Sequence, residues 1–153
     1  MPLRFDLDDL TRPAVHRLLE EHLADMYATS PVESVHALDL AALRAPAIEF
    51  WSVWDGDEVL GTGALKRLSA ADAELKSMRT ATRARGAGVG TAMVEHLLGR
   101  ARSSGYSTVW LETGTEDFFA PARRLYARHG FIECEPFGDY ATDPHSTFMT
   151  LAL

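Results

Sequence analysis

A glycine-rich hexapeptide is the part of the sequence with the clearest potential for chemistry. Its members are Arg85, Gly86, Ala87, Gly88, Val89 and Gly90. An amphipathic helix is predicted to follow, and the first amides of a helix have no partner inside it. The helix dipole is also positive at that end, and glycines let a phosphate approach the backbone closely. We therefore predict an anion site on the amides between Arg85 and Thr91.

The charge around this segment differs from that of the whole chain. The chain has a formal net charge of −7, yet residues 75–94 contain no acidic residue and four basic ones. These are Lys76, Arg79, Arg83 and Arg85. A basic run of this kind is either a solvated face or the place where an anionic ligand docks.

The identity of the anion is narrowed by what surrounds the glycines. A phosphate-binding P-loop needs a lysine and then serine or threonine after its last glycine, and this chain has Gly90-Thr91-Ala92. A dinucleotide fingerprint needs Gly-x-Gly-x-x-Gly, which is not present. Glu112 follows at about the distance of the acidic residue in that fingerprint, so a nucleotide-cofactor enzyme stays a weaker alternative.

Two segments carry a family resemblance. The hexapeptide resembles the acetyl-CoA signature of the GNAT superfamily of N-acetyltransferases, Gln/Arg-x-x-Gly-x-Gly/Ala, and residues 122–131 resemble its pattern Ala-x-x-Leu-Tyr-x-x-x-Gly-Phe. Residues 76–80, 111–114 and 137–144 are similar to the bacterial YsnE-like branch. The resemblance implies direct transfer of an acetyl group from acetyl-CoA to an amine of a small molecule or peptide. A non-catalytic acyl-CoA sensor with the same fold is the alternative.

The resemblance also implies two catalytic residues. Tyr126 would be the general acid, because a phenol with a pKa near ~10 can hydrogen-bond to and protonate the departing CoA sulfur, whose thiol pKa is near ~8.5. Glu74 would be the general base that removes a proton from an amine of pKa near ~10.4. A carboxylate of ordinary pKa is a weak base, so it would need burial or a water relay. The alternative interpretation of Glu74 is a solvated strand residue.

Further cofactor contacts follow from the same resemblance. In GNAT enzymes the strand that ends here at Thr80 parts from its neighbour, and the backbone of Met78, Arg79 and Thr80 would pair with pantetheine as an added strand does. The amide of Met78 or Arg79 would polarise the thioester carbonyl. Phe119 stands where many GNAT proteins carry an asparagine. Its ring would therefore wall the acyl or substrate pocket, or belong to the core.

Composition sets limits on the remaining possibilities. A chain of 153 residues with 46% hydrophobic residues suits one domain over residues 1–153. The negative charge argues against nucleic acid, and no apolar run approaches the ~20 residues that span a membrane. One cysteine, Cys134, forms no internal disulfide, which favours a cytoplasmic protein, and the scattered histidines predict no metal site. A homodimer formed through an edge strand or the tail is left open.

Apolar spacing predicts the elements that position these groups. Strands are expected over residues 4–8, 48–54, 59–65, 73–80, 107–111, 131–134 and 147–153. Helices are expected from Pro13 to Tyr27 and over residues 39–44, 88–104 and 121–129, with a loop over residues 27–35. The fold class is mixed α/β, and the GNAT resemblance implies a central, mostly antiparallel sheet of six to seven strands with about four flanking helices.

Overall fold

The computed structural model of the chain describes residues 2–29 and 40–153. Its strands are β1 (Arg4–Leu7), β2 (Ile48–Asp55), β3 (Glu58–Arg67), β4 (Asp72–Thr80), β5 (Thr108–Gly114), β6 (Ile132–Cys134) and β7 (Ser146–Ala152). Its helices are α1 (Pro13–Thr29), α2 (Leu40–Leu43), α3 (Val89–Ser103) and α4 (Ala120–Arg128), with short 3-10 turns at Thr82–Ala84 and Asp117–Phe119. The predicted fold class, a mixed sheet of six to seven strands with about four helices, is confirmed.

All seven strands form one sheet in the order β1-β2-β3-β4-β5-β7-β6. The pair β4 and β5 is parallel, and every other neighbouring pair is antiparallel. A parallel pair needs a crossover connection, and here the glycine loop and α3 supply it. The crossover places the start of α3 beside the ends of these two central strands.

Helix α3 packs on the sheet through the apolar stripe that its sequence predicts. Val89, Met93, Leu97 and Ala101 are all at most 2% exposed. Gly63 on β3 makes this close packing possible, because a Cβ there would lie 2.8 Å from side-chain atoms of Met93 and Leu97. A larger residue at position 63 would push the helix away from the strand.

Helix α1 covers the other face of the sheet. Thr62 on β3 is paired with Arg79 on β4, and the Arg79 guanidinium reaches Asp25 on α1. Thr62 is thus on the side of α1, and Gly63 faces α3. Because successive strand residues point to opposite faces, the two helices lie on opposite sides of the sheet. Strands β3 and β4 therefore lie between two helices, and a cavity near the end of β4 can be walled from both sides.

The predicted ends of the helices and strands agree with the structure to within three residues. Helix α1 continues to Thr29, past the predicted end at Tyr27, and the remainder of the predicted loop lies in residues 30–39, outside the described residues. Strand β5 runs three residues beyond its predicted end, to Gly114.

Two general features complete the description of the fold. Within residues 2–29 and 40–153, no helix is long and apolar enough to cross a membrane. The same residues contain no cluster of three or more histidine, cysteine or acidic side chains arranged to hold a metal ion.

Candidate active site

The centre of the site is the place where β4 and β5 part. Their parallel pairing runs from Asp72 with Thr108 to Leu75 with Leu111 and stops there. Just beyond, two residues of β4, Ser77 and Met78, stand opposite the single residue Gly63 of β3. This arrangement is a β-bulge in β4, and Ser77 has a positive φ of 54°. An extra residue bends its strand and twists it more strongly. Met78 on β4 lines two cavities, and residues of both strand ends line one of them.

The first of these cavities, called the loop cavity here, has a volume of about 690 Å³. It is lined by most of the predicted cofactor residues, which are Met78, Arg79, Thr80, Arg85, Gly86, Gly88, Val89, Gly90, Thr91 and Phe119. Ala87 does not line it, and its amide donates to the carbonyl oxygen of Ala84 at 3.3 Å. The fold thus gathers segments from β4, the glycine loop and α4 around one space.

Unpaired amides are the main polar feature of the loop cavity. Gly88 precedes the first helical residue, Val89, with a φ of 84°, and the first intrahelical bond runs from the amide of Ala92 to the Gly88 carbonyl. The amides from Gly88 to Thr91 have no acceptor within hydrogen-bonding distance among the described residues. Four consecutive free donors at the positive end of a helix are the arrangement expected to attract an anion.

Most of the predicted basic segment is already paired with carboxylates. The pairs are Lys76 with Glu74, Arg79 with Asp25, and Arg83 with Glu58. Arg85 is held less closely, because its Nη2 atom is 3.8 Å from Asp25, and with 46% of its side chain exposed it lines the loop cavity, which Arg83 does not. Of these four cations, Arg85 is the one best placed to meet an anion in the loop cavity.

The second cavity, called the Glu74 cavity here, has a volume of about 350 Å³ and contains a buried ion pair. Glu74 is only 3% exposed. Its Oε2 atom accepts hydrogen bonds from Lys76 Nζ at 3.0 Å and from the Tyr140 hydroxyl at 2.7 Å, and Lys76 also donates to the Tyr140 oxygen at 3.0 Å. Both donors reach the same oxygen, so Oε1 is the carboxylate atom available to a ligand.

Five residues line both cavities and define their junction. They are His22, Met78, Phe119, Ala122 and Tyr126. Tyr126 is 5% exposed, and burial, together with the negative charge of Glu112, raises the pKa of its hydroxyl well above the ordinary value. The phenol therefore stays protonated across the neutral range and can act as a hydrogen-bond donor where the cavities meet.

Phe119 is part of the cavity wall. Its ring lies against Gly114 at the end of β5, where a Cβ would be 2.2 Å from the Phe119 Cδ2 atom. The ring also makes an edge contact with Phe118, with ring centroids 5.0 Å apart. Of the two interpretations that the sequence allowed, this arrangement corresponds to the wall of a pocket.

Sequence reasoning missed two features of the site. His22 on α1 lines both cavities, and burial, with the nearby charge of Arg79, lowers its pKa to about 4, so the imidazole is neutral at physiological pH. The bond between Tyr140 and Glu74 joins residues 66 positions apart. No local spacing links such residues, because Tyr140 lies in the tail, residues 137–144, between β6 and β7.

The acidic residues of that tail have different roles. Asp143 accepts a hydrogen bond from the backbone amide of His145 at 2.8 Å, which is the behaviour of a turn residue. Asp139 is exposed. Tyr140 is therefore the tail residue that reaches the buried ion pair.

The fold and the two cavities define a class of protein, and comparison with known sequences identifies it. The model of the "Acetyltransferase (GNAT) family" matches residues 15–131, so the chain belongs to this family. It is 48% identical to the N-acetyltransferase YsnE of Bacillus subtilis (strain 168), over 99% of this chain and 100% of that protein. It is also 48% identical to the N-acetyltransferase YedL of Escherichia coli (strain K12), over 95% and 92% of the two chains. These relatives place the chain in the YsnE-like bacterial branch.

A more distant relative and two solved structures are also similar to this chain. The "IAA acetyltransferase" of Azospirillum brasilense is 38% identical over 92% of this chain and 91% of its own length. An acyl-CoA N-acyltransferase from Klebsiella pneumoniae has the same fold, with a TM-score of 0.80 and 23% identity over 99% and 97% of the chains. A GNAT acetyltransferase from Elizabethkingia anophelis with acetyl-CoA bound has a TM-score of 0.72 and 16% identity over 99% and 98%.

Proposed function

We propose that the protein transfers the acetyl group of acetyl-CoA to the amine of a small molecule in a ternary complex. The observation that carries the proposal is the junction of the two cavities at Tyr126. One cavity offers free backbone amides for an anionic cofactor, and the other offers a buried carboxylate for an amine. Acetyl transfer needs these two reactants side by side, since it proceeds by direct attack.

The loop cavity fits the cofactor. We assign the pyrophosphate of CoA to the four amides from Gly88 to Thr91, with Arg85 as a nearby cation. The separated edge of β4 at Met78–Thr80 would receive the pantetheine arm, as an added strand pairs with a free edge. Acetyl-CoA supplies the acetyl group as a thioester. Ala87 is left out of this assignment, because its amide already donates to Ala84.

Glu74 is the proposed general base. A positively charged amine must lose a proton before its lone pair can attack. Glu74 lines the cavity, and because Lys76 and Tyr140 hold Oε2 and fix the orientation of the carboxylate, we assign proton acceptance to Oε1. This arrangement lets one oxygen accept the proton without rotation of the side chain.

Tyr126 is the proposed partner of the leaving group. Burial raises the pKa of the Tyr126 hydroxyl. Transfer of its proton would therefore be unfavourable to a thiolate that kept the pKa of a thiol in water, near ~8.5. The same burial also disfavours the thiolate, since desolvation penalises every anion in this space. We infer that the phenol donates a hydrogen bond as the carbon–sulfur bond breaks and delivers its proton as the sulfur gains charge.

The proposed reaction conserves atoms and charge. The protonated amine gives one proton to Glu74, and its nitrogen forms a bond to the acetyl carbon. The carbon–sulfur bond breaks and the sulfur takes the proton of Tyr126. The nitrogen loses its second proton, which restores the Tyr126 hydroxyl, and Glu74 releases its proton to solvent. The products are an amide, CoA as a free thiol, and one net proton released to solvent.

The test is turnover with a matched tyrosine control. Acetyl-CoA and a panel of primary amines are incubated with the protein, while released thiol and the mass of the acetylated amine are measured. Tyr126→Phe is expected to lower kcat by about 10²- to 10⁴-fold, whereas Tyr106→Phe, which lines neither cavity, should leave it unchanged. Tight CoA binding without acetylation of any amine would instead support a non-catalytic sensor.

The acceptor itself is not carried over from the relatives. The Azospirillum protein is named for IAA, whereas the names of YsnE and YedL give no acceptor. A cytoplasmic location and a single domain over residues 1–153 stay predictions from the sequence.

A further inference from the structure

The lining of the Glu74 cavity divides into a polar end and an apolar wall. The polar end is formed by β4, β5 and the tail, where Glu74 is held by Lys76 and Tyr140. The apolar wall is formed by side chains of α1 and α2, namely Leu19, Leu23, Met26, Leu40 and Leu43, and α1 also contributes His16, Glu20 and His22 to the lining. Such a division favours a ligand with one charged end and one hydrophobic body.

From this lining we propose that the preferred acceptor is a primary monoamine on an alkyl or aryl body, without a carboxylate beside the amine. The proposal rests on the proposed function, because it specifies what the Glu74 cavity would bind. The ammonium group would lie at Oε1 of Glu74, and the body would contact α1 and α2. The cavity volume of about 350 Å³ is near the lower end of the range for small-molecule sites, which suits a compact amine.

The charges of the lining disfavour a carboxylate on the acceptor. Lys76 is the only lysine or arginine among the described residues that line the Glu74 cavity, and its ammonium group is bonded to Glu74 and Tyr140. His22 is neutral at physiological pH, because its pKa is lowered to about 4. Two further histidines line the cavity, and each already has a partner: His16 contacts the Leu10 carbonyl oxygen and His145 contacts Glu116. A substrate carboxylate would therefore have to disrupt an existing pair, or remain unpaired near Glu74.

The apolar wall disfavours a second ammonium group. A diamine that enters with one end at Glu74 would place its other charge among leucine and methionine side chains, where a desolvated cation is costly. The exposed carboxylate of Glu20 also lines the cavity. A long diamine that reached Glu20 would escape this cost, so a diamine belongs in the test.

The first experiment compares three acceptors of similar size. The value of kcat/KM is measured for 2-phenylethylamine, phenylalanine and 1,5-diaminopentane at saturating acetyl-CoA. We expect 2-phenylethylamine to exceed each of the others by about tenfold or more, as expected when a site must desolvate an unpaired charge. Equal or better use of phenylalanine or the diamine would overturn the proposal while leaving the acetyltransferase function intact.

The second experiment tests the apolar wall with a matched pair of variants. Leu23 on α1 is 37% exposed and lines the cavity, whereas Leu7 on β1 is 62% exposed and does not. Leu23→Ser is expected to lower kcat/KM for 2-phenylethylamine by about fivefold, with no change in the KM for acetyl-CoA. Leu7→Ser should change neither value. Identical kinetics for the two variants would contradict the assigned wall.

A binding measurement separates this proposal from the proposed function. Calorimetry with the CoA-loaded protein reports acceptor binding even where no acetyl group is transferred. Binding of 2-phenylethylamine about tenfold tighter than phenylalanine supports the acceptor class whether or not turnover occurs. If neither amine is acetylated although 2-phenylethylamine binds, the proposed function fails, and the proposed class of ligand for the Glu74 cavity stands. If neither binds, the acceptor class fails.

Discussion

The two cavities of this protein are built from different chemical groups. The loop cavity presents backbone amides from one continuous stretch, Gly88 to Thr91, and is shaped by glycines with positive φ. The Glu74 cavity presents side chains from β4, from the tail and from α1, and its centre is a buried ion pair. Backbone amides can bind a phosphate group, which cofactors of many proteins contain, whereas side chains can select the ligand of one particular protein.

Because the two cavities are built from different groups, binding of CoA and binding of the amine can be altered separately. If the cavities act as independent sites that meet only at their junction, a change in one should alter one ligand and leave the other nearly unaffected. Substitutions at Glu74 or Tyr140 should therefore act on the amine, and substitutions in the glycine loop should act on CoA.

The largest effect is expected from Glu74→Gln. A glutamine keeps the shape of the side chain but cannot accept a proton, so the enzyme would depend on the small fraction of amine that is already neutral. At pH 7 this fraction is roughly 10⁻³ for an amine of pKa near ~10, so kcat/KM should fall by about 10²- to 10³-fold and recover as pH rises. The pH dependence of kcat/KM is the measurement.

The control for Glu74→Gln is Glu133→Gln, an exposed residue on the edge strand β6. It should leave kcat/KM unchanged. The affinity of Glu74→Gln for CoA, measured by calorimetry, should stay within about twofold of the wild-type value, since the loop cavity does not include Glu74. Wild-type activity of Glu74→Gln at pH 7 would show that another group is the base.

The next largest effect is expected from Gly88→Ala. The φ of 84° at Gly88 is unfavourable for alanine by about 1–2 kcal/mol, and the added methyl group would stand beside the free amides. The Kd for CoA should therefore rise about tenfold. Gly99→Ala is the matched control, because Gly99 is exposed within α3, and alanine there should stabilise the fold by about 0.5–1 kcal/mol.

A smaller effect is expected from Tyr140→Phe. This change removes the hydrogen bond to Glu74 Oε2 but leaves the pair of Glu74 with Lys76. The carboxylate would be less firmly oriented, so the KM for the amine should rise about threefold with little change in the Kd for CoA. Tyr27→Phe, at a position that is 50% exposed on α1, should have no effect in the same assays.

The last prediction concerns His22 and the pH dependence of stability, not the binding of either ligand. Burial, and then the charge of Arg79, lower its pKa to about 4, below the ordinary 6.5, while Asp25 opposes the shift. As pH falls from about 6.5 to about 4, the unfolded chain takes up this proton before the folded chain does. The free energy of unfolding must therefore decrease in this window, by at most about 1.4 kcal/mol per pH unit.

His22→Gln removes this titration and should make the free energy of unfolding less dependent on pH between 4 and 6.5. Denaturant unfolding at several pH values measures the difference in slope. Equal slopes for the two proteins would mean that His22 takes up its proton as readily in the folded chain as in the unfolded one.

Local patterns were sufficient to predict most of the fold. The apolar stripe of α3 follows from helical spacing, and the turn before it follows from its glycines, because both depend on residues close together in the chain. Local spacing was less informative about the end of α1, which continues to Thr29. There is no strong stop signal near Tyr27, and helix ends depend on contacts that sequence windows do not contain.

The sequence by itself determined the glycine turn and the unpaired amides on which the proposed anion site rests, since both are properties of one short segment and its glycines. It also identified Tyr126 and Glu74 as candidates through their motifs. Lys76 lies two positions from Glu74 on the same face of β4, so strand alternation places it there. Only the tertiary structure decided the rest of the surroundings of Glu74, because Tyr140 and His22 are brought there by the tail and α1. The physical reason is that burial and ion pairing depend on distances in space, which neither composition nor spacing along the chain contains.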